Sequence, residues 1–316
     1  METPIALGVS ACLLGENVRY NGGHSRDPFI CDTLSQYVRF VPVCPEVECG
    51  FPVPREAFRL VGDPESPRFV TTKTRKDYTR RMVDWCSNKV KALEKAELCG
   101  FIFRKGSPSS GMERVKVYSE TGMPSKRGSG MFARAFMEHF PLLPVEEDGR
   151  LHDPKLRENF IEAFFVLKRW RETVEPRPTR RAFVEFHTRH KLLIMPHSPK
   201  HMRLMGKMIA QIKSHSQNDF REKYQAMLME TLRLKTTPRK NTDVLFHVMG
   251  FFKKLITGDE KQELREMIEN YRKGYVPLIV PVTLLRHYVR KYDQPYLKNQ
   301  FFLNPHPLEL QLRNHA

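Results

Sequence analysis

The sequence predicts an α/β domain followed by an all-α domain. Three observations carry that prediction. The first half alternates short apolar runs with polar-apolar segments of helical spacing, the pattern of strands interleaved with helices. The second half contains long amphipathic segments and no β-rich stretch. Composition changes at the same place: Cys12, Cys31, Cys44, Cys49, Cys86 and Cys99 are all the cysteines, and most of the excess positive charge lies behind them. A chain of 316 residues is long for one core. Two domains, 1–145 and 146–316, are expected.

The first half is read element by element. Residues 5–13 form a short buried strand and a tight loop punctuated by Gly15 and Asn21-Gly22-Gly23. A helix is expected over 27–37. A second apolar run, Val38–Val43, ends at Cys44-Pro45, and 76–97 has helical spacing (Met82, Trp85, Val90, Leu93). Residues 98–103 are a third strand, 106–111 a Ser/Gly/Pro loop, and 128–139 a helix. The expected fold is Rossmann-like, with a mostly parallel sheet. Cys12, Cys44 and the 106–111 loop each follow a strand, so one sheet rim should gather all three.

Residues 141–157 read as a linker. Beyond it helices are expected over 155–171, 180–195, 200–216, 218–235, 241–256, 259–272 and 281–291, with Pro196, Pro199, Pro238 and Gly274 at the breaks. Two prolines argue against a strand over 276–282. The sequence has no internal repeat.

The formal net charge is +17. Residues 1–148 hold 21 Lys/Arg against 19 Asp/Glu, whereas 149–316 hold 32 against 17. That excess favours a polyanion through phosphate contacts and counterion release; the count alone does not separate RNA from DNA or an anionic membrane. No stretch approaches the roughly 20 apolar residues of a membrane span. The first residues lack a basic segment followed by an apolar one, so cytoplasm is the expected location.

Cys44-Pro45-Glu46-Val47-Glu48-Cys49 places two thiols and two carboxylates just after a strand. Thiolates at such a rim suit soft metals and iron–sulfur clusters. The spacing is not that of a zinc knuckle, and inert core cysteines are the plain alternative. Cys12 follows the first strand onto the same rim. Three cysteines there would leave one iron of a 4Fe–4S cluster open to substrate as a Lewis acid.

Ser10-Ala11-Cys12-Leu13-Leu14-Gly15, Arg19-Tyr20 with Gly22-Gly23, Val43-Cys44-Pro45-Glu46, Pro54-Arg55 and Ser107-Pro108-Ser109-Ser110-Gly111 together resemble the thiouracil desulfidase family, over about residues 5–143. Phe186-His187, Arg189-His190-Lys191, His247 with Gly250, Tyr271 with Gly274 and Pro277–Pro281 resemble the YbgA-like family. The combination is similar to enzymes that remove sulfur from 4-thiouridine in tRNA. The resemblance implies a non-redox desulfuration on a 4Fe–4S cluster with three cysteine ligands and one open iron. Cys12 matches a ligand, Glu46 is the acid/base, and the hydroxyls of Ser107 and Ser109 orient water or the base edge. One departure stands out: the family loop carries cysteine where this chain has Ser110. Cys49 is the expected replacement, giving Cys12, Cys44 and Cys49 as ligands; the alternative is a structural Cys44 with another cysteine, such as Cys99, completing the set. Cys31 and Cys86 are expected to be structural.

In the second half, His187, His190 and His197 invite a metal, but no carboxylate or cysteine obviously completes a site. Arg189, Lys191, Lys200, Arg203 and Lys207 form a basic run suited to tRNA phosphates, or equally a solvated face. Phe251, Phe252, Tyr288 and Tyr292 are read as core. Two rival functions stay open: desulfuration of free thiouracil, with the helical half serving oligomerisation, and a non-enzymatic RNA-binding or redox-sensing protein with structural metal. The excess charge argues against the first, because a neutral free base needs no such field. Glu46 argues against the second.

Overall fold

The computed structural model describes residues 4–315. The chain forms two compact units that divide between Asp153 and Pro154. The first unit is α/β. Its strands and helices are β1 (Ile5–Ser10), β2 (Val38–Val43), α1 (Pro45–Glu48), β3 (Phe58–Val61), β4 (Arg68–Thr71), α2 (Thr79–Leu93), β5 (Phe101–Phe103), β6 (Val115–Tyr118), β7 (Pro124–Gly128), α3 (Met131–His139) and β8 (Val145–Glu147).

One sheet has the order β2-β1-β5-β8, and every pairing in it is parallel. β1 is buried along its whole length, which explains its unbroken apolar sequence. A Cβ on Gly8 would stand 2.1 Å from the Phe101 ring, so only glycine lets β5 lie against β1 there. On α2, Met82, Cys86, Val90 and Leu93 form one buried stripe. Phe132 and Phe136 of α3 pack on Phe101 and Phe103, with the Phe101 and Phe136 rings 4.8 Å apart.

Three expectations are corrected. Residues 27–37 are not an α-helix: a π-helical turn, Phe29–Thr33, runs into a 3-10 turn, Leu34–Gln36, between Pro28 and β2. The stretch read as a linker contains β8, the fourth strand of the sheet, so the first unit ends at Asp153 rather than at 145. A second sheet of order β4-β3-β6-β7 was not anticipated; it is mixed, antiparallel at both ends and parallel at its centre.

The second unit is all-α among the described residues: α4 (Pro154–Thr173), α5 (Arg180–Ile194), α6 (Pro199–Ala210), α7 (Gln217–Arg233), α8 (Pro238–Met249), α9 (Gly258–Arg272), α10 (Ile279–Lys291) and α11 (Pro295–Lys298). Five starts are capped by a hydroxyl that accepts a backbone N–H three residues on: Thr179, Ser198, Ser216, Thr237 and Thr257, the last in a full capping box with Glu260. Pro199 and Pro238 stand at breaks between helices and occupy first-turn positions, where the missing N–H costs nothing, so each opens the helix that follows. α8 therefore starts three residues before the expected 241. The core centres on Trp170, stacked on Tyr224 at 5.4 Å with Phe186 edge-on at 5.1 Å. Among the described residues no helix is long and apolar enough to cross a membrane.

Candidate active site

The C-terminal ends of β1, β2 and β5 open onto a cavity of about 230 Å³. Cys12, Cys44, Glu46, Arg55, Ser107 and Ser110 are on its wall. Each arrives for a local reason. Cys12 sits in the 3-10 turn Ala11–Leu14 directly after β1, which ends in left-handed Gly15. Cys44 is the N-cap of α1, and Pro45 sets the first turn. That turn brings the Glu46 carboxylate back toward the thiol: Cys44 Sγ and Glu46 Oε2 are 3.7 Å apart. Glu48 is committed elsewhere, accepting the Cys44 N–H at 3.0 Å and pairing with Lys89 at 2.6 Å.

The serine loop fixes Glu46 from the other side. Ser109 Oγ donates to Glu46 Oε1 at 2.7 Å and lies 3.0 Å from Ser107 Oγ. Ser107 Oγ also accepts the N–H groups of Ser109 and Ser110, which tightens the turn. The guanidinium of Arg55 lies 3.8 Å from Glu46 Oε2, with both side chains largely buried. Ser109 is fully buried and off the cavity wall. Its hydroxyl bonds Glu46, where the expectation had it orient water or the base edge. Ser107 does reach the wall.

The carboxylates read as linker brace this loop. Asp148 accepts the Lys105 N–H at 2.7 Å and pairs with Arg104, and Glu147 accepts the Met112 N–H at 2.8 Å. Gly130 supplies close approach: a Cβ there would stand 2.4 Å from the Ser109 carbonyl carbon. Arg104, Glu147 and Asp148 were missed in the sequence, because acidic residues beside prolines carry the signature of a loop.

Burial pushes the Cys12 thiol up to about 11 against the opposing field of Arg104. Burial, reinforced by the Glu46 carboxylate, pushes Cys44 up to about 12. Both are neutral thiols until a cation displaces their protons. Cys49 does not join them. It is buried, its thiol donates to the Arg81 carbonyl at 3.7 Å, and it is not on the cavity wall. It faces α2 because it ends the α1 turn, one turn on from Cys44. The third position on the wall is Ser110. The expected three-thiolate set is thus not assembled: two thiols and one hydroxyl converge. Cys99 and Cys86 are buried, and the Cys31 thiol donates to the Leu13 carbonyl.

Among the described residues no group of three His, Cys, Asp or Glu side chains forms a ready metal site. His187 Nδ1 meets Tyr224 Oη at 2.9 Å, His190 Nδ1 meets the Phe186 carbonyl, and His197 lies 2.7 Å from Glu162. These imidazoles are core groups. Lys200, Arg203 and Lys207 are exposed at helical spacing on α6. Arg189 and Lys191 belong to α5, where Arg189 is half-buried over Phe301 at 4.6 Å. Phe252 and Tyr288 are buried as expected; Phe251 is not, and is 38% exposed.

Residues 7–148 match the family described as 2-thiouracil desulfurase, and 191–307 match a protein family of unknown function, DUF1722. The helical half is 31% identical over 151 residues, 48% of this chain and 89% of the relative, to the uncharacterized protein YbgA of Escherichia coli (strain K12). This chain joins a region that matches the 2-thiouracil desulfurase family to a YbgA-like domain. The uncharacterized protein YbbK of Bacillus subtilis (strain 168) is 28% identical over 131 residues, 40% of this chain and 85% of YbbK. A solved structure described as the 4Fe-4S-dependent thiouracil desulfidase TudS is 25% identical, with a TM-score of 0.39 over 47% of this chain and 94% of that chain. The cavity residues Cys12, Cys44, Glu46 and Ser110 all fall inside the desulfurase match.

Proposed function

We propose that this protein removes sulfur from a thiolated uracil base, 4-thiouridine in tRNA, by hydrolysis. The observation that carries the reading is the meeting of Cys12, Cys44 and a hydroxyl-aimed Glu46 in one cavity of a desulfurase domain. The reaction exchanges a ring C=S for C=O: water supplies the oxygen, sulfur leaves as hydrogen sulfide, and no net redox occurs. Cys12, Cys44 and Ser110, which line one cavity, would hold an iron–sulfur centre through two sulfurs and one oxygen. When bound, such a centre supplies a Lewis acid for the thiocarbonyl sulfur through an open iron.

The chain's own groups do the rest. Glu46 takes a proton from water, its carboxylate oriented by Ser109 and Arg55. Ser107, on the wall, offers a hydroxyl to water or the base edge. The tRNA part of the reading is supported by charge: the unit from Pro154 onward holds 31 Lys/Arg against 16 Asp/Glu.

The test is anaerobic purification with iron and sulfide analysis, followed by incubation with 4-thiouridine-containing tRNA. Bound iron and sulfide, loss of the thiouridine absorption and release of sulfide are expected. A colourless protein that holds zinc would remove the reading. Turnover of free thiouracil together with inertness toward tRNA would replace the substrate.

A further inference from the structure

The helical unit contains a cavity of about 680 Å³ between the Arg180–Arg189 face of α5, the turn Ile212–Ser214 and α11. Ligand sites commonly occupy roughly 300–1,000 Å³. Four cations, Arg180, Arg181, Arg189 and Lys213, line it against one carboxylate, Glu185. Among the described residues none of the four cations forms an ion pair. The cavity is therefore an unneutralised positive field inside the protein's own surface.

Its polar atoms are unmatched as well. Arg189 Nε, Tyr296 Oη and Gln300 Oε1 are buried without a hydrogen-bond partner, and all three residues line the cavity. Gln300 is only 1% exposed, and its amide is oriented by donation from Nε2 to the Thr188 carbonyl at 2.8 Å. Buried polar atoms are nearly always paired in folded proteins, so three orphans in residues that line one cavity call for partners that the chain itself does not supply. Behind Arg189, the buried Arg169 shares the Phe301 ring at 4.1 Å and leaves its own Nη1 without a partner.

The third observation is aromatic. Tyr296 stacks on Phe251 at 5.2 Å and 17°. Phe251 is 38% exposed, and Lys191 Nζ lies 5.1 Å over the Tyr296 ring. Guanidiniums for a phosphate, a part-exposed aromatic pair for a base, and a hydroxyl with an amide carbonyl for a base edge are the groups that single-stranded nucleic acid uses. A simple inorganic anion would leave the ring and the carbonyl unused.

We propose that this cavity binds a nucleotide unit, its phosphate against Arg189 with Arg180 and Arg181, and its base against Tyr296 and Gln300. The unit comes from RNA if the tRNA reading above holds, on which that assignment rests; the same chemistry would take a free nucleotide.

The test uses the full chain at fixed salt. Binding of tRNA and of uridine and adenosine 5′-monophosphates is measured for the wild type and for Tyr296→Leu, Tyr296→Phe and Arg189→Lys. Tyr296→Leu should weaken nucleotide binding by about 5–150-fold, the span for one stacked base. Arg189→Lys should weaken it while leaving the salt slope unchanged, because the charge is kept and the planar fork is lost. Tyr296→Phe keeps the stack and removes only an orphan hydroxyl, so it folds and should lose a few-fold. Wild-type tRNA affinity in all three variants overturns the cavity and leaves the tRNA reading standing. Variant-sensitive binding of the monophosphates with no binding of tRNA keeps the cavity and removes the tRNA reading. Binding of neither ligand removes both.

Discussion

Glu46 lies 3.7 Å from the Cys44 thiol and takes a 2.7 Å hydrogen bond from Ser109, the placement that the proposed general base requires. Glu46→Gln preserves the acceptor for Ser109 and removes the base. It should keep its iron and lose about 10²–10⁴-fold in turnover; a near wild-type rate would move the base to another group. Ser110 makes a second prediction. Replacing its hydroxyl by a thiol supplies the third sulfur, so Ser110→Cys should raise iron per chain and slow its loss to a chelator. Iron content and chelation rate equal to wild type would place the third donor elsewhere. By the same geometry Cys12→Ala and Cys44→Ala should lose iron, as expected from the sequence, while Cys49→Ala should retain it, against that expectation. Spacing placed Cys49 near Cys44 along the chain but could not show that a single helical turn directs the two side chains to opposite sides.

At the scale of elements, the legible parts are those whose sequence has one dominant period. β1 and β5 are apolar runs because a parallel sheet buries both faces of its inner strands, β2 at the edge is buried only at its ends, and α2 shows its stripe plainly. The second sheet was silent because its strands are four or five residues long and interrupted by Arg59, Arg68, Lys116 and Lys126. β8 was silent for a related reason: two of its three residues are glutamates, which serve as braces. In the helical unit, α5 carries a third prediction. Burial holds His187 down to about 4, His190 well below the usual imidazole range, and His306 of the C-terminal segment down to about 4. A depressed histidine stabilises the fold above its unfolded pKa of about 6.5 and loses that contribution as pH falls through the folded value. Glu158 acts with the opposite sign: burial raises it to about 7, so its protonation below pH 7 favours the fold. Three imidazoles outweigh one carboxyl. The urea midpoint of this unit should drop between pH 7 and pH 4.5, His187 alone contributing on the order of 3 kcal/mol. Trp170, stacked against Tyr224, reports this unit in a Trp85→Phe background. A midpoint flat or rising toward acid would contradict the burial argument.

Over the whole molecule, charge and cysteine divide the labour. The unit ending at Asp153 has a balance of +2 and all the cysteines, while the unit from Pro154 has +15 and none. Chemistry belongs to the first on this reading, and capture of a polyanion to the second. Lys200, Arg203 and Lys207 form an exposed stripe on α6, unlike Arg189, which is half-buried and stacked. The stripe is suited to phosphates along a backbone and not to one fixed ligand. Converting the three to alanine should therefore weaken tRNA binding and flatten its salt dependence, by roughly 0.7–0.9 in log–log slope for each phosphate no longer neutralised. The same triple variant should desulfurate a free thiolated nucleoside at the wild-type rate, because that substrate carries no phosphate backbone. Parallel measurements on tRNA and on the nucleoside decide the point. Equal loss on both would mean that the helical unit supports the catalytic fold, and tRNA binding unaffected by salt would sink the electrostatic account of capture.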